Sequence, residues 1–305
     1  MIRHHGLPGG AFLTLPSPVV SFGVYDGVHL GHQAVLGELV AWAKSLGGTA
    51  VVMTFDRHPQ SVLRGTRVPN ILSMEHRLLQ IERAGADVCI VLPFSLEMAA
   101  MTPEQFLDRF LAAELNARGL ILGFDQRFGS GAAGDFPRAK AWGDAHAVEV
   151  RRGPEIVRAA AKVSSTAIRA AISSGRLDDA AAMLGRPVSL YGTVVKGDGR
   201  GRRIGFPTAN LDLHHELVPP QGVYLAHVTL ATVTHRAVVN IGTRPTFGNG
   251  RAETVEAYVI GFAGDLYGRD LELVLVRKIR DEKKFESAEA LVAQIRKDVV
   301  EAERG

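Results

Sequence analysis

Two clusters of residues in this chain have the types and spacings that phosphate chemistry uses. The first is His29-Leu30-Gly31-His32. Two imidazoles three residues apart share one face of a helical turn, and a helix start offers unpaired N–H groups and a positive dipole end. Phosphate is stabilised there, and both rings can donate to charge building on a phosphoryl group, with Gly31 leaving room for close approach. The same pair also reads as two polar residues at an ordinary helix start. As a metal site it lacks a third ligand at a suitable spacing. Ser164-Ser165-Thr166-Ala167-Ile168-Arg169 alone is a helix cap. Combined with the histidines, its hydroxyls, N–H groups and guanidinium could hold the β and γ phosphates of ATP.

The second cluster runs from Lys196 to Asn210. Gly197, Gly199, Gly201 and Gly205 alternate with Arg200, Arg202 and Arg203, so successive backbone N–H groups and positive charges can face phosphates. Pro207 stiffens the chain before Thr208 and Asn210. In an extended segment these two face one side, and both oxygens can reach one hard cation and its phosphates, a seat for magnesium-ATP. Without the glycines the run would read as a flexible turn, a strand-initiating Thr and a turn Asn. Glu256, in Thr254-Val255-Glu256-Ala257-Tyr258, shares a face with Thr254 and Tyr258 opposite Val255, Ala257 and Val259. By itself it is a solvent-facing strand glutamate.

The elements that must position these groups fall into two textures. From Val19 to about Arg186, short β-rich runs (Val19 to Val24, Thr49 to Thr54, Asp87 to Leu92, Leu120 to Gly123, Ala147 to Val150) alternate with helical runs. The helices are Gly31 to Leu46, Met74 to Ala84, Pro103 to Leu115, Phe136 to Asp144, Thr166 to Ser174 and Leu177 to Leu184. Such alternation predicts βαβ units and a parallel sheet with covered faces. After Gly185-Arg186-Pro187 come five strand-like runs, Val188 to Val195, Gly222 to Leu230, His235 to Ile241, Thr254 to Ile260 and Leu271 to Ile279. One helix, Ser287 to about Glu301, follows. They predict a small antiparallel barrel closed by a terminal helix. The expected domains are 1–186 and 187–305.

The chain has 305 residues, 46% of them hydrophobic, enough for two cores. A net charge of +3 with interleaved signs favours small anionic substrates over a nucleic-acid groove. Cys89, the single cysteine, lies in an apolar run, so it reads as a reduced, buried thiol and no internal disulfide forms. No run approaches the roughly 18 apolar residues of a membrane span and no apolar leader precedes Pro18, so a soluble cytoplasmic protein is expected. The oligomeric state is not set by these features.

Phe22-Gly23-Val24-Tyr25-Asp26-Gly27-Val28-His29-Leu30-Gly31-His32, with Val163-Ser164-Ser165-Thr166-Ala167-Ile168-Arg169, resembles the adenylyltransferase module of bacterial bifunctional riboflavin kinase/FAD synthetases, in the nucleotidyltransferase superfamily. The run from Lys196 to Asn210 resembles that family's riboflavin kinase module. So do Pro219 to Tyr224, Asn240 to Phe247, Gly264 to Gly268 and Arg280 to Phe285. The resemblance implies a Rossmann-like nucleotidyltransferase domain followed by the kinase barrel. It implies phosphorylation of riboflavin to FMN by ATP, then adenylylation of FMN to FAD with release of pyrophosphate, both with Mg2+. His29 and His32 would stabilise the adenylyl transition state, and Ser165, Thr166 and Arg169 would grip the leaving group. Gly23, Asp26 and Asp125 would contact ATP in that site; Asp125 reads equally as a turn residue. Gly197, Gly199, Gly201, Gly205 and Pro207 would contact ATP in the kinase site. Thr208 and Asn210 would hold the metal, and Glu256 would be the kinase's catalytic carboxylate.

The chain departs from the family pattern at Val24, where Asn is common, at Asp56 and Arg57, at Gln126, where an aromatic is usual, and at Gly261. Two other readings compete with the bifunctional enzyme. One is a kinase with a degenerate adenylyltransferase domain, resting on Arg57 and Gln126. The other is a nucleic-acid or flavin-binding module, motivated by a pI near 9.1. It leaves Thr208, Asn210 and Glu256 unexplained and lacks interleaved aromatic and basic residues.

Overall fold

The computed structural model describes residues 1–7, 14–158, 161–214, 217–245 and 251–304. Thr246 and Phe247, the end of one family-like motif, lie outside the described residues. The chain separates into two compact units, Met1–Asn70 with Met74–Ser165, and Thr166–Gly305 with Ile71–Ser73.

The first unit contains β1 (Ile2–His5), β2 (Val19–Phe22), α1 (Leu30–Ser45), β3 (Ala50–Phe55), α2 (Pro59–Arg64), α3 (Met74–Arg83), β4 (Val88–Leu92), α4 (Leu96–Ala100), α5 (Pro103–Leu107), β5 (Gly119–Leu122), α6 (Phe136–His146) and β6 (Glu149–Arg152). A two-stranded antiparallel ribbon, β7 (Val157–Arg158) and β8 (Ala161–Lys162), follows. Six strands pair in the order β1-β4-β3-β2-β5-β6, all parallel, as the βαβ pattern predicts. Strands β2 to β5 are buried at every position, which is why they read as apolar runs rather than alternating ones.

The sequence reading does not include the short helices α2 and α4 or the β7–β8 ribbon, and two further features differ from it. Strand β1 extends the sheet at its edge, beside β4. Its Arg3, His4 and His5 hide it from an apolar-run search, and Arg3 pairs with Glu82 at 2.6 Å. The helix expected from Pro103 to Leu115 is α5, opened by a Thr102/Gln105 capping box, continued as a π-helix over Asp108–Glu114. Phe106, Leu107, Phe110 and Leu111 all still face the core. Along the chain the sheet grows from β2 through β3 to β4 on one side, and from β5 to β6 on the other. The order reverses between β2 and β5, so a crevice opens beyond their carboxyl ends.

Helix α7 (Ser165–Ser173) leads from the first unit into the second. There follow α8 (Leu177–Leu184), β9 (Ser189–Val195), α9 (Arg200–Arg203), β10 (Ala209–Leu213), β11 (Gly222–Leu230), β12 (Val233–Pro245), β13 (Arg251–Val259), β14 (Asp270–Arg280) and α10 (Ala288–Arg304). The strands close into a barrel in the order β10-β13-β12-β11-β14-β9 with every pairing antiparallel. Tyr224, Ala226, Val239, Ile241, Val255, Ala257, Leu273 and Leu275 are buried. Val223, Leu225 and Val238 alternate with that set and pack with Val299 and Ala302 of α10. Arg280 forks onto Asp298 of the same helix, Nε to Oδ1 at 3.0 Å and Nη2 to Oδ2 at 2.8 Å, and Gln294 also donates to Asp298. Strand β10 was not expected, because its outward Asn210 and Asp212 after Pro207 read as turn chemistry.

Candidate active sites

In the first unit the chain leaves β2 through a turn with left-handed backbone at Tyr25 (φ 50°), Gly27 (φ 87°) and Val28 (φ 39°). For β-branched Val28 this conformation is strained and needs bracing from its surroundings. Three turn carbonyls each accept a side-chain bond from a different place: Val24 from Thr54 at 3.1 Å, Asp26 from Ser165 at 2.8 Å and Val28 from Gln33 at 2.8 Å. Tyr25 donates to Ser21 Oγ at 2.6 Å, which donates to the Ile121 carbonyl at 2.8 Å. Burial pushes the Tyr25 hydroxyl far above its ordinary pKa, so it stays protonated and donating.

This braced turn delivers His29 as the N-cap of α1, its Nδ1 accepting from the His32 N–H at 3.3 Å. With Nδ1 an acceptor, the His29 proton sits on Nε2, which is the atom left to donate elsewhere. The two imidazoles stack with centroids 3.6 Å apart and planes 14° apart. A Cβ on Gly31 would lie 3.2 Å from His29 Cε1, so the room glycine leaves is taken by the His29 ring itself.

The pair opens onto a cavity of about 810 Å³, within the range of small-molecule sites. Its wall is made where strands end: Gly23 after β2, Phe55 of β3, Phe94 after β4, Gly123 to Gly129 after β5, and Pro154 after β6. Gln126, departing from the family aromatic, accepts from the Gly123 N–H at 2.9 Å and donates to the Phe22 carbonyl at 2.8 Å. Arg152 lies 4.2 Å over the Phe124 ring and donates to its carbonyl at 2.6 Å. Of the residues marked from sequence, Gly23, His29, His32, Asp125, Ser164 and Ser165 line the cavity. Asp26 is buried beneath the turn, and Thr166 and Arg169 follow Ser165 along α7. Ser165 braces the turn through Asp26, a function its place in the motif did not reveal.

In the second unit the site is a row on the outer face of the barrel. Asn210 of β10 lies opposite Glu256 of β13, which lies opposite Asn240 of β12. The row continues to Val223 and then Arg280, under α10. Thr208 donates to Glu256 Oε2 at 3.4 Å. The glycine-rich loop folds back onto this row. A Cβ on Gly197 would overlap the Asn210 carboxamide, and one on Gly201 would lie 3.1 Å from Thr208 Oγ1. Gly199 (φ 66°) and Gly205 (φ 86°) adopt left-handed backbone that other residues resist. Gly242 is bare for a similar reason, since its Cβ would lie 2.6 Å from Glu282 Oε1. Asn240 carries no assignment from the sequence reading; only the register puts it beside Glu256.

Among the described residues no three His, Cys, Asp or Glu side chains gather as metal ligands. The hydroxyl of Thr208 and the carboxamide of Asn210, next to the Glu256 carboxylate, are instead a hard oxygen set that fits magnesium. Also among the described residues, no helix is long and apolar enough to cross a membrane.

Residues 14–167 match the FAD synthetase family and residues 184–305 the riboflavin kinase family. The chain is 36% identical to the bifunctional riboflavin kinase/FMN adenylyltransferase of Listeria monocytogenes, over 97% of this chain and 94% of that one. It is 37% identical to the protein of the same name from Bacillus subtilis, over 94% and 92%. A crystal structure of a protein called a macrolide-efflux protein, from Streptococcus pneumoniae, superimposes over 100% of both chains with a TM-score of 0.85 and 31% identity.

Proposed function

Because the chain belongs to the bifunctional riboflavin kinase/FMN adenylyltransferase family and is an enzyme of both reactions, we propose a division of labour among its residues. Residues 1–186 carry out adenylylation of FMN, and residues 187–305 phosphorylate riboflavin. The kinase product is the adenylyltransferase substrate, so the chemistry runs opposite to the order on the chain.

In the kinase site Glu256 accepts the proton of the terminal ribityl hydroxyl as that oxygen attacks the γ-phosphate of ATP and the bond to the β-phosphate breaks. Thr208 holds the Glu256 carboxylate in place through its hydroxyl. Gly197, Gly199, Gly201, Gly205 and Pro207 shape the backbone that receives the nucleotide phosphates. Thr208 and Asn210 are the residues that would hold magnesium, which when bound supplies positive charge to those phosphates.

In the adenylyltransferase site a phosphate oxygen of FMN attacks the α-phosphate of ATP, and pyrophosphate leaves. No protein nucleophile is needed, so catalysis is positioning and charge stabilisation. His29 Nε2, His32 and the α1 N-terminus donate to the charge on the transferring group. Gly23 and Asp125 form the nucleotide-binding wall, Asp26, which the resemblance placed there too, is instead buried behind it and ties the turn to Ser165, and Ser165, Thr166 and Arg169 hold the departing pyrophosphate. A cytoplasmic setting suits the ATP requirement and the reduced Cys89.

The observation that supports this reading is that one chain holds both a stacked histidine pair at a helix start facing a cavity and Asn210 opposite Glu256 by register, with Thr208 hydrogen-bonded to the same carboxylate. Incubation of the protein with riboflavin, ATP and magnesium, with flavins separated over time, should give FMN first and then FAD. FMN accumulating without FAD would return the chain to a kinase with a degenerate adenylyltransferase domain.

A further inference from the structure

The crevice of the first unit opens between β2 and β5, whose register pairs Val19 with Gly119 and Val20 with Leu120. Towards their carboxyl ends, side chains take over from the backbone ladder. Ser21 Oγ donates to the Ile121 carbonyl at 2.8 Å. Beyond it, Gln126 Oε1 accepts from the Gly123 N–H at 2.9 Å while Nε2 donates to the Phe22 carbonyl at 2.8 Å. A carboxamide is a peptide group without its chain. Gln126 therefore inserts an extra peptide-like rung beyond the last ladder pairing, Val20 with Leu120.

The two ends of this rung are the roots of the catalytic loops. Phe22 precedes Gly23 and the strained turn that ends in His29; Gly123 begins the loop that carries Asp125. The rung is half-buried in the cavity wall, and its acceptor and donor both serve backbone. Phe22 is held on its other side by Phe106, 4.9 Å between centroids, and Phe128, 5.2 Å. The Gln126 bond fixes the β2 exit in the remaining direction, across the crevice.

We propose that Gln126 is a positioning residue for FMN adenylylation, its carboxamide setting the spacing between the Gly23-to-His29 turn and the Asp125 loop. The inference rests on assigning adenylylation to this cavity. It needs no contact between Gln126 and substrate: the residue acts through the placement of His29 and of the Gly23 backbone. Misplacing a reacting geometry by about 1 Å can cost about a hundredfold in rate.

The test uses the full chain and both reactions. Gln126→Met keeps the length of the side chain and removes both bonds. It should lower kcat for FAD formation roughly tenfold to a hundredfold, with KM for FMN and ATP changed less than about threefold. Riboflavin phosphorylation in the same preparation should be unchanged. Gln126→Glu supplies a readout that a packing role would not move. Protonated, a glutamic acid can still accept from Gly123 and donate to Phe22; ionised, it cannot donate and faces a carbonyl. Its FAD formation relative to the unsubstituted chain should therefore fall as pH rises from about 5 to about 8.

The proposal is overturned if Gln126→Met forms FAD at the unsubstituted rate, or if KM rises while kcat holds, which would make Gln126 a ligand contact. Equal loss of both reactions in Gln126→Met would make it a general folding residue, and Gln126→Glu then decides through its pH limb, whose absence also sinks the idea. His29→Ala, assayed beside them, separates the two levels. If it leaves FAD formation intact, the cavity assignment fails and the inference with it. If it abolishes FAD formation while both Gln126 variants are silent, only the rung fails.

Discussion

The two units handle phosphate with opposite kinds of architecture. In the parallel sheet, site residues sit beyond strand ends, on loops that the ladder does not reach, and long-range side-chain bonds hold those loops. Gln126 to Phe22 spans 104 residues of chain and Ser165 to Asp26 spans 139. In the barrel the ladder itself is the positioning device. Asn210, Glu256 and Asn240 are aligned because their strands pair in that register, and Thr208 to Glu256 spans only 48 residues. A register that slipped by one residue would turn Glu256 into the barrel interior, so burial of Val255 and Ala257 enforces the position of its carboxylate. The turn that leads to His29 lies beyond the ladder and is held by individual side-chain ties instead.

The largest effect should come from removing the group at the centre of each site. Loss of one transition-state donor typically costs about 2.7–4 kcal/mol, roughly a hundredfold to a thousandfold. His29→Ala should suppress FAD formation to that extent while FMN still accumulates. Glu256→Ala should suppress FMN formation comparably while supplied FMN is still adenylylated. Flavins separated after incubation with either substrate distinguish these outcomes, and parallel losses of both steps would break the division into two sites.

How much of this was legible in the sequence follows the same contrast. Groups that act by local geometry were readable: the His29/His32 spacing, the Thr208/Asn210 spacing, and the face of Glu256 opposite Val255 and Ala257. Partners that depend on closure of the fold were not. Nothing local to Gln126 says that Phe22 lies across the crevice, nothing around Ser165 says that it braces Asp26, and Asn240 meets Glu256 only through pairing of β12 with β13. Strands β1 and β10 were missed because an edge strand and a five-residue strand with outward polar residues lack the apolar signal that buried strands carry. The barrel and parallel sheet themselves were legible, since alternation of texture survives such omissions.

An intermediate effect should come from the clamp that holds α10. Asp298 is 2% exposed, and removing its carboxylate leaves the Arg280 guanidinium without its forked partner. Breaking a fully buried pair in this way costs about 3–5 kcal/mol, and because Arg280 is 20% exposed and still donates to the Asp281 carbonyl the loss here should be smaller, about 1–3 kcal/mol. Asp298→Ala should therefore lower the resistance of riboflavin phosphorylation to heat or denaturant much more than that of FMN adenylylation. Activity remaining after graded heating measures both reactions on one sample. Equal sensitivity would show that the units unfold together and that their separate packing has no separate stability.

The smallest effect compares the glycines that crowd each site. A methyl at Gly197 would overlap Nδ2, Cγ and Oδ1 of Asn210, so the whole carboxamide, and not only its tip, would have to move. At Gly31 the same methyl would come within 3.2 Å of the His29 ring, a contact that a few tenths of an ångström of imidazole movement relieves. Gly197→Ala should thus slow FMN formation by about tenfold, equivalent to about 1.4 kcal/mol, whereas Gly31→Ala should slow FAD formation by less than about threefold. Steady-state rates of the two half-reactions at saturating substrate decide it. The reverse ranking would mean that the histidine stack tolerates less movement than the barrel row, and that the ties around the β2 turn hold their site more rigidly than strand register holds the other.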